Sequence, residues 1–182
     1  ESMSFVMFYE VKMIIPKNDS PDSDYVGLLG NSIPGGSSRD VYHVIGCNDC
    51  VIKVNAQCGA NNNEANYYFD ALNNRSDVLR CIGKILSISK SGKYLIMEYL
   101  PDIACPKAVT VDVPTDIDDL KRSSFGEVDG VIKLRDYARK KLGIPPDEIG
   151  KYTIQSINVG NELKNFGNEL DSIFNSTDED FQ

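Results

Sequence analysis

The sequence predicts an α+β fold: a small unit of five strands and one helix, followed by a much reduced C-terminal part. Three observations carry this. Short β-prone runs occur in the order strand, strand, strand, helix, strand, strand. One segment, Asn63 to Leu72, places Ala65, Tyr68, Phe69 and Leu72 at the i, i+3, i+4, i+7 spacing of a single helix face. Beyond residue 100 the regular patterns shorten and prolines interrupt them.

Taken in order, residues 4–15 are rich in β-branched and aromatic residues and predict a strand, closed by Pro16 to Pro21. A second apolar stretch, Tyr25 to Leu29, runs into Gly30 to Gly36, where three glycines and a proline predict an irregular loop. Val41 to Ile45 and Val51 to Val54 then read as strands joined through a polar turn at Asn48-Asp49. After the helix, in whose first turn Glu64 is expected, Ile82 to Ser89 and Lys93 to Leu100 predict two more strands. Residues 102–118 carry four acidic residues, Pro106 and Pro114, and read as a connector. Asp129-Gly130 and Val131 to Leu134 form a turn and a strand, and two helical segments are expected at Asp147 to Tyr152 and Val159 to Phe174. The polar, acidic residues 175–182 read as a disordered tail.

Composition bounds the function. With 19 basic and 27 acidic residues the 182-residue chain carries a formal charge of −8. That argues against a protein whose task is gripping nucleic-acid phosphates, and −8 is modest for a mimic of nucleic acid. It suits a partner with a basic face. No apolar run approaches the roughly 20 residues that span a bilayer, so no membrane anchor is expected. Five cysteines without regular spacing and no leader-like start point to a reducing, cytoplasmic setting. Glu1-Ser2 ahead of Met3 reads as an addition for expression, with Met3 the expected native start. Oligomeric state is not legible.

Chemistry could reside in three places. Gly35, Gly36, Ser37 and Ser38 offer backbone amides and hydroxyls that could approach a phosphate, or form an ordinary turn. Lys53 sits in an apolar strand with Val51 on its face: it either faces solvent or is buried against a counter-charge, for which Glu64 is available. Asp119-Leu120-Lys121, Ser124 and Asp136 place carboxylates at the two ends of a short hairpin, where they could serve as base and metal ligand. Bland readings suit the rest. Cys47 and Cys50 are expected to flank a turn, the lone His43 to pack in a strand, and the Arg135, Arg139, Lys140, Lys141 cluster to form a solvated face.

The order of these pieces resembles the protein-kinase-like fold, in a reduced form of the kind carried by bacteriophages and pathogenic bacteria, over roughly residues 23–140. The resemblance implies a five-stranded antiparallel N-lobe over residues 3–100, a reduced C-lobe over 101–174, a glycine-rich loop from Gly30 to Val41 and a hinge at Glu98-Tyr99-Leu100. It further implies ATP and magnesium as cofactors. Lys53 would hold phosphates, Glu64 would orient Lys53, Asp119 would be the base and Lys121 would neutralise charge, with Asp136 and Ser124 as metal ligands. The sequence departs from the family pattern where Ser124 replaces an asparagine and Ile117-Asp118 replaces His-Arg, and the 44 residues after Ala138 cannot supply the helical platform that holds a peptide. The expectation is a pseudokinase that docks on another protein, in a host cytoplasm if the source is viral. An active minimal serine/threonine kinase is the alternative.

Overall fold

The computed structural model describes residues 14–34, 39–55, 59–143 and 148–157. Gly35, Gly36, Ser37 and Ser38, the helix expected at Val159 to Phe174 and the acidic tail lie outside them. So does the strand expected over residues 4–15, apart from Ile14 and Ile15, which are not in a strand.

A five-stranded antiparallel sheet is the largest element. It contains β1 (Leu29–Ile33), β2 (Asp40–Val44), β3 (Cys47–Val54), β4 (Ile85–Ile88) and β5 (Tyr94–Glu98), in the order β1-β2-β3-β5-β4. Its first strand corrects the sequence reading, because Gly30 to Ile33 belong to β1, with Leu29, Ser32 and Ile33 paired to β2 across an irregularity at Gly30-Asn31, instead of looping. Gly30 permits this. A Cβ there would lie 2.8 Å from the His43 carbonyl oxygen, so the close approach of β1 to β2 needs a residue without one.

The β2–β3 turn also differs from expectation. It falls at Ile45-Gly46, where Gly46 adopts φ 78°, and Asn48-Asp49 lie within β3. Val44 pairs with Cys47 while His43 pairs with Val51, so the residues between Cys47 and Val51 are extra on the β3 side. A Cys47–Cys50 disulfide closes this bulge. The two thiols therefore staple a bulge and do not flank the hairpin turn. Asp49, inside the bulge, accepts a hydrogen bond from the Tyr99 amide at 2.8 Å. In the chain-entropy picture so short a loop contributes about 2 kcal/mol. The double variant Cys47→Ser/Cys50→Ser is expected to lose about that much in urea denaturation, and dithiothreitol should lower the wild-type melting temperature but not that of the variant.

A four-residue turn of helix, α1 (Ser23–Val26), sets Tyr25 into the sheet face formed by Val44, Ile52, Tyr94 and Ile96. The longer helix, α2 (Ala60–Asn74), covers the opposite face. It starts earlier than its periodicity suggests. Glu64 consequently lies one turn in, and the buried face runs through Asn61, Glu64, Ala65, Tyr67, Tyr68 and Ala71, while Leu72 is 55% exposed.

The C-terminal part corrects two readings. The connector contains β6 (Val109–Pro114), and the segment expected to be helical is β9 (Ile149–Ile154), antiparallel to it. Val109 and Val111 pair with Ile154 and Tyr152, Val113 with Gly150 and Pro114 with Ile149, and that pairing outweighs any local helical preference. The hairpin of β7 (Phe125–Val128) and β8 (Val131–Leu134) turns at Asp129 and Gly130, with φ 51° and 75°, as a primed turn requires. It docks beside the sheet, where Leu134 donates its amide to Cys81 and Gly83 donates to Leu134. Buried Val51, Leu95 and Met97 of the sheet share one apolar cluster with Ile103, Ile117, Phe125, Leu134 and Ile154. Among the described residues, no helix is long and apolar enough to cross a membrane.

Candidate functional site

Between the sheet face that carries Val51 and the residues flanking the β7–β8 hairpin lies a cleft of about 380 Å³. One end is apolar, formed by Ile33, Val41, Val51, Met97, Tyr99 and Leu100. The other is charged. Strand alternation puts Lys53 on the same face as Val51, and burial of its ammonium requires a counter-charge. Glu64 on α2 provides it, accepting from Lys53 Nζ on both carboxylate oxygens at 3.0 Å. A third bond from Nζ reaches the Arg135 carbonyl at 2.5 Å.

A second cation, Arg39, enters the same carboxylate from the start of β2. Its Nη1 donates to Glu64 Oε2 at 2.6 Å and to Asn61 Oδ1 at 3.2 Å, and its Nη2 donates to Glu64 Oε1 at 3.2 Å and to Asp136 Oδ1 at 2.8 Å. The Tyr137 amide completes the shell of Glu64 at 2.9 Å. Asn61 fixes the start of α2, donating to the Lys53 and Lys93 carbonyls. Two cations and two carboxylates thus cancel in charge. Arg39 and Lys53 are buried and Glu64 is wholly so, whereas the Asp136 side chain is half exposed.

Burial alone would raise the carboxyl pKa of Glu64, but Lys53 and Arg39 beside it outweigh burial and hold it below the usual glutamate range. Burial works against the Arg39 charge and Glu64 overcomes it, so its pKa is raised. For Lys53, burial prevails over the pull of Glu64 and the ammonium titrates below the ordinary lysine range.

The other residues singled out in the sequence gather around this network. Asp119, at φ 57°, shares a second cavity of about 260 Å³ with Asp136, Lys121 and Ser124. Lys121 Nζ lies 3.5 Å from Asp119 Oδ2, and Arg139 approaches the same oxygen at 3.9 Å. Ser124 is buried and donates its hydroxyl to the Asp119 carbonyl at 3.1 Å. Glu98 lines the larger cleft and accepts from the Lys84 amide and from Lys133 Nζ. His43 packs edge-on against Tyr99.

Arg39, Asn61 and Arg135 escaped the sequence reading as site residues. Arg135 does not belong to a solvated basic face: its guanidinium bonds to the Leu100 carbonyl at 2.8 Å, the Ser123 carbonyl at 3.2 Å and Asp102 at 2.5 Å. Arg139, Lys140 and Lys141 are exposed, as expected, with the Lys140 ammonium over the Tyr67 ring, 4.6 Å from its centroid. The signal for Arg39 was present but indirect. A buried carboxylate tolerates more than one cation, and Arg39 is the cation immediately before β2.

The magnesium implied by the resemblance does not suit the donors as arranged. Asp136 Oδ1 is engaged by a guanidinium, and the buried hydroxyl of Ser124 is committed to a carbonyl. Among the described residues no group of three or more His, Cys, Asp or Glu side chains is placed to hold a metal ion.

No family model matches the chain, and no curated protein or solved structure matches it significantly.

Proposed function

We propose that this chain is a reduced kinase-like module that has lost efficient phosphoryl transfer and works by docking on another protein. One observation carries the reading: the two groups that would handle phosphate and metal, Lys53 and Asp136, are tied into one neutral network by Glu64, Arg39 and the Arg135 carbonyl. Catalysis of phosphoryl transfer rests on positioning and charge, so a carboxylate held by arginine is lost to metal coordination. The excess of acidic residues, 27 against 19, favours a partner with a basic face, and affinity for such a partner should fall as salt rises.

The second reading, an active minimal serine/threonine kinase, draws on the Lys53–Glu64 pair and on Asp119 and Asp136 facing one cavity. Radiolabelled ATP with magnesium and a mixed protein substrate separates the two. The docking reading expects no transfer above that of Lys53→Met and Asp136→Asn. Transfer by the wild type that either variant abolishes would replace it with the active kinase.

A further inference from the structure

The bulge at the start of β3 bears on the cleft as well as on the sheet. Cys50 pairs with Glu98, and the Asp49 carbonyl accepts from the Tyr99 amide at 2.8 Å, so the bulge holds β5 where it leaves the sheet to line the cleft. His43, the residue of β2 beside the bulge, packs edge-on against the Tyr99 ring with centroids 5.0 Å apart. Bulges re-aim side chains in this way where a sheet borders a site. We infer that the Cys47–Cys50 bridge is a redox-sensitive switch for this wall of the cleft. Oxidised, it fixes the bulge and, through Asp49, the position of Tyr99. Reduced to two thiols, it releases both.

Access comes from one side. Cys50 is buried, but Cys47 is only partly so, and Asn48 and Asp49 between them are exposed. A thiolate from solution can therefore attack Cys47 Sγ, forming a mixed disulfide there while the electron pair of the broken S–S bond leaves on Cys50. A monothiol stalls at this stage, because Cys50, three residues along, attacks the mixed disulfide and expels it. A dithiol completes the reaction: its second thiol attacks the mixed disulfide, it departs as a cyclic disulfide, and its two protons and two electrons end on Cys47 and Cys50. A small-molecule disulfide reverses the change. The effect stays local, because β2 and β3 remain paired from His43 and Val51 onward, β3 remains paired to β5, and Arg135 holds the neighbouring Leu100 carbonyl at 2.8 Å. What reduction loosens is Asn48, Asp49 and the bond from Asp49 to Tyr99.

His43 supplies the probe. It is the only histidine in the chain, so its ring-proton NMR signals report the contact with Tyr99 directly. Spectra of the full chain are recorded after oxidised glutathione, after excess dithiothreitol, and after reoxidation, beside those of Cys47→Ser/Cys50→Ser. Reduction is expected to shift the His43 ring signals and the Tyr99 amide signal reversibly, while the Tyr137 amide, held by Glu64 at the charged end of the cleft, keeps its position. The double variant should sit at the reduced positions and respond to neither reagent, which excludes the other three cysteines as the cause. His43 and Tyr99 signals that do not move on reduction overturn the inference and leave the bridge a staple. Loss of the folded spectrum on reduction overturns it too, as does a bridge that excess dithiothreitol fails to open. Should the double variant fail to fold, the wild type cycled between its two states decides alone.

Discussion

Glu64→Ala is expected to lower the free energy of unfolding by about 3–5 kcal/mol, because breaking a buried ion pair strands the remaining charge. Here two buried cations lose it at once: Lys53, 6% exposed, keeps no carboxylate, and Arg39, 7% exposed, keeps only the half-exposed Asp136. Lys53→Met should cost less, since Glu64 keeps Arg39 and the Tyr137 amide. Urea denaturation of the three proteins checks the ranking, and equal losses would show that the carboxylate is not the centre of the network. The pH dependence follows with a definite sign. The folded-state pKa of Glu64 lies below its unfolded value. Its ionisation therefore stabilises the fold at all pH above the unfolded value of about 4.3, and that contribution is lost as pH falls through the lower folded value. The wild type should lose this part of its stability on acidification below that point, and Glu64→Ala, having no such group, should not.

Tyr137→Ala is expected to cost a comparable amount, about 3–5 kcal/mol, as large aromatic truncations in a core do. The side chain is 1% exposed, stacks at a tilt on Tyr67 with ring centroids 5.8 Å apart, and donates its hydroxyl to the buried Gly83 carbonyl at 2.8 Å. Its backbone amide meanwhile holds Glu64, so the residue that anchors the interior also positions its neighbour Asp136. Tyr137→Phe should cost only about 1–3 kcal/mol, the penalty for a carbonyl left without its donor. Denaturation curves of both variants check this, and a Phe variant as damaged as the Ala variant would assign the effect to the hydroxyl rather than to packing.

The parts of this protein that were legible in its sequence are those decided locally or by a strong physical demand. A lysine among valines needs a counter-ion, and Lys53 has Glu64. Asp129-Gly130 is a turn because its two residues accept positive φ. What was missed depends on distant chain. Gly30 reads as a breaker until β2 comes close enough to exclude a Cβ. The valines of β6 read as connector because their partners in β9 lie some 40 residues further along. Arg39 meets Glu64 across 25 residues and Asp136 across 97, and no spacing rule links side chains that far apart. Nothing in Arg135 itself separates it from Arg139 and the lysines beside it, because the carbonyls that hold it belong to Leu100 and Ser123.

Arg135 also has a kinetic meaning. Its backbone oxygen holds Lys53 of the sheet, while its side chain ties the segment after β5 to the loop before β7. These bonds cross the cleft in different directions and share one residue, so its walls cannot drift apart by degrees. Widening breaks them together. Any widening is therefore expected to be cooperative, a loss of several bonds at once instead of a gradual loosening.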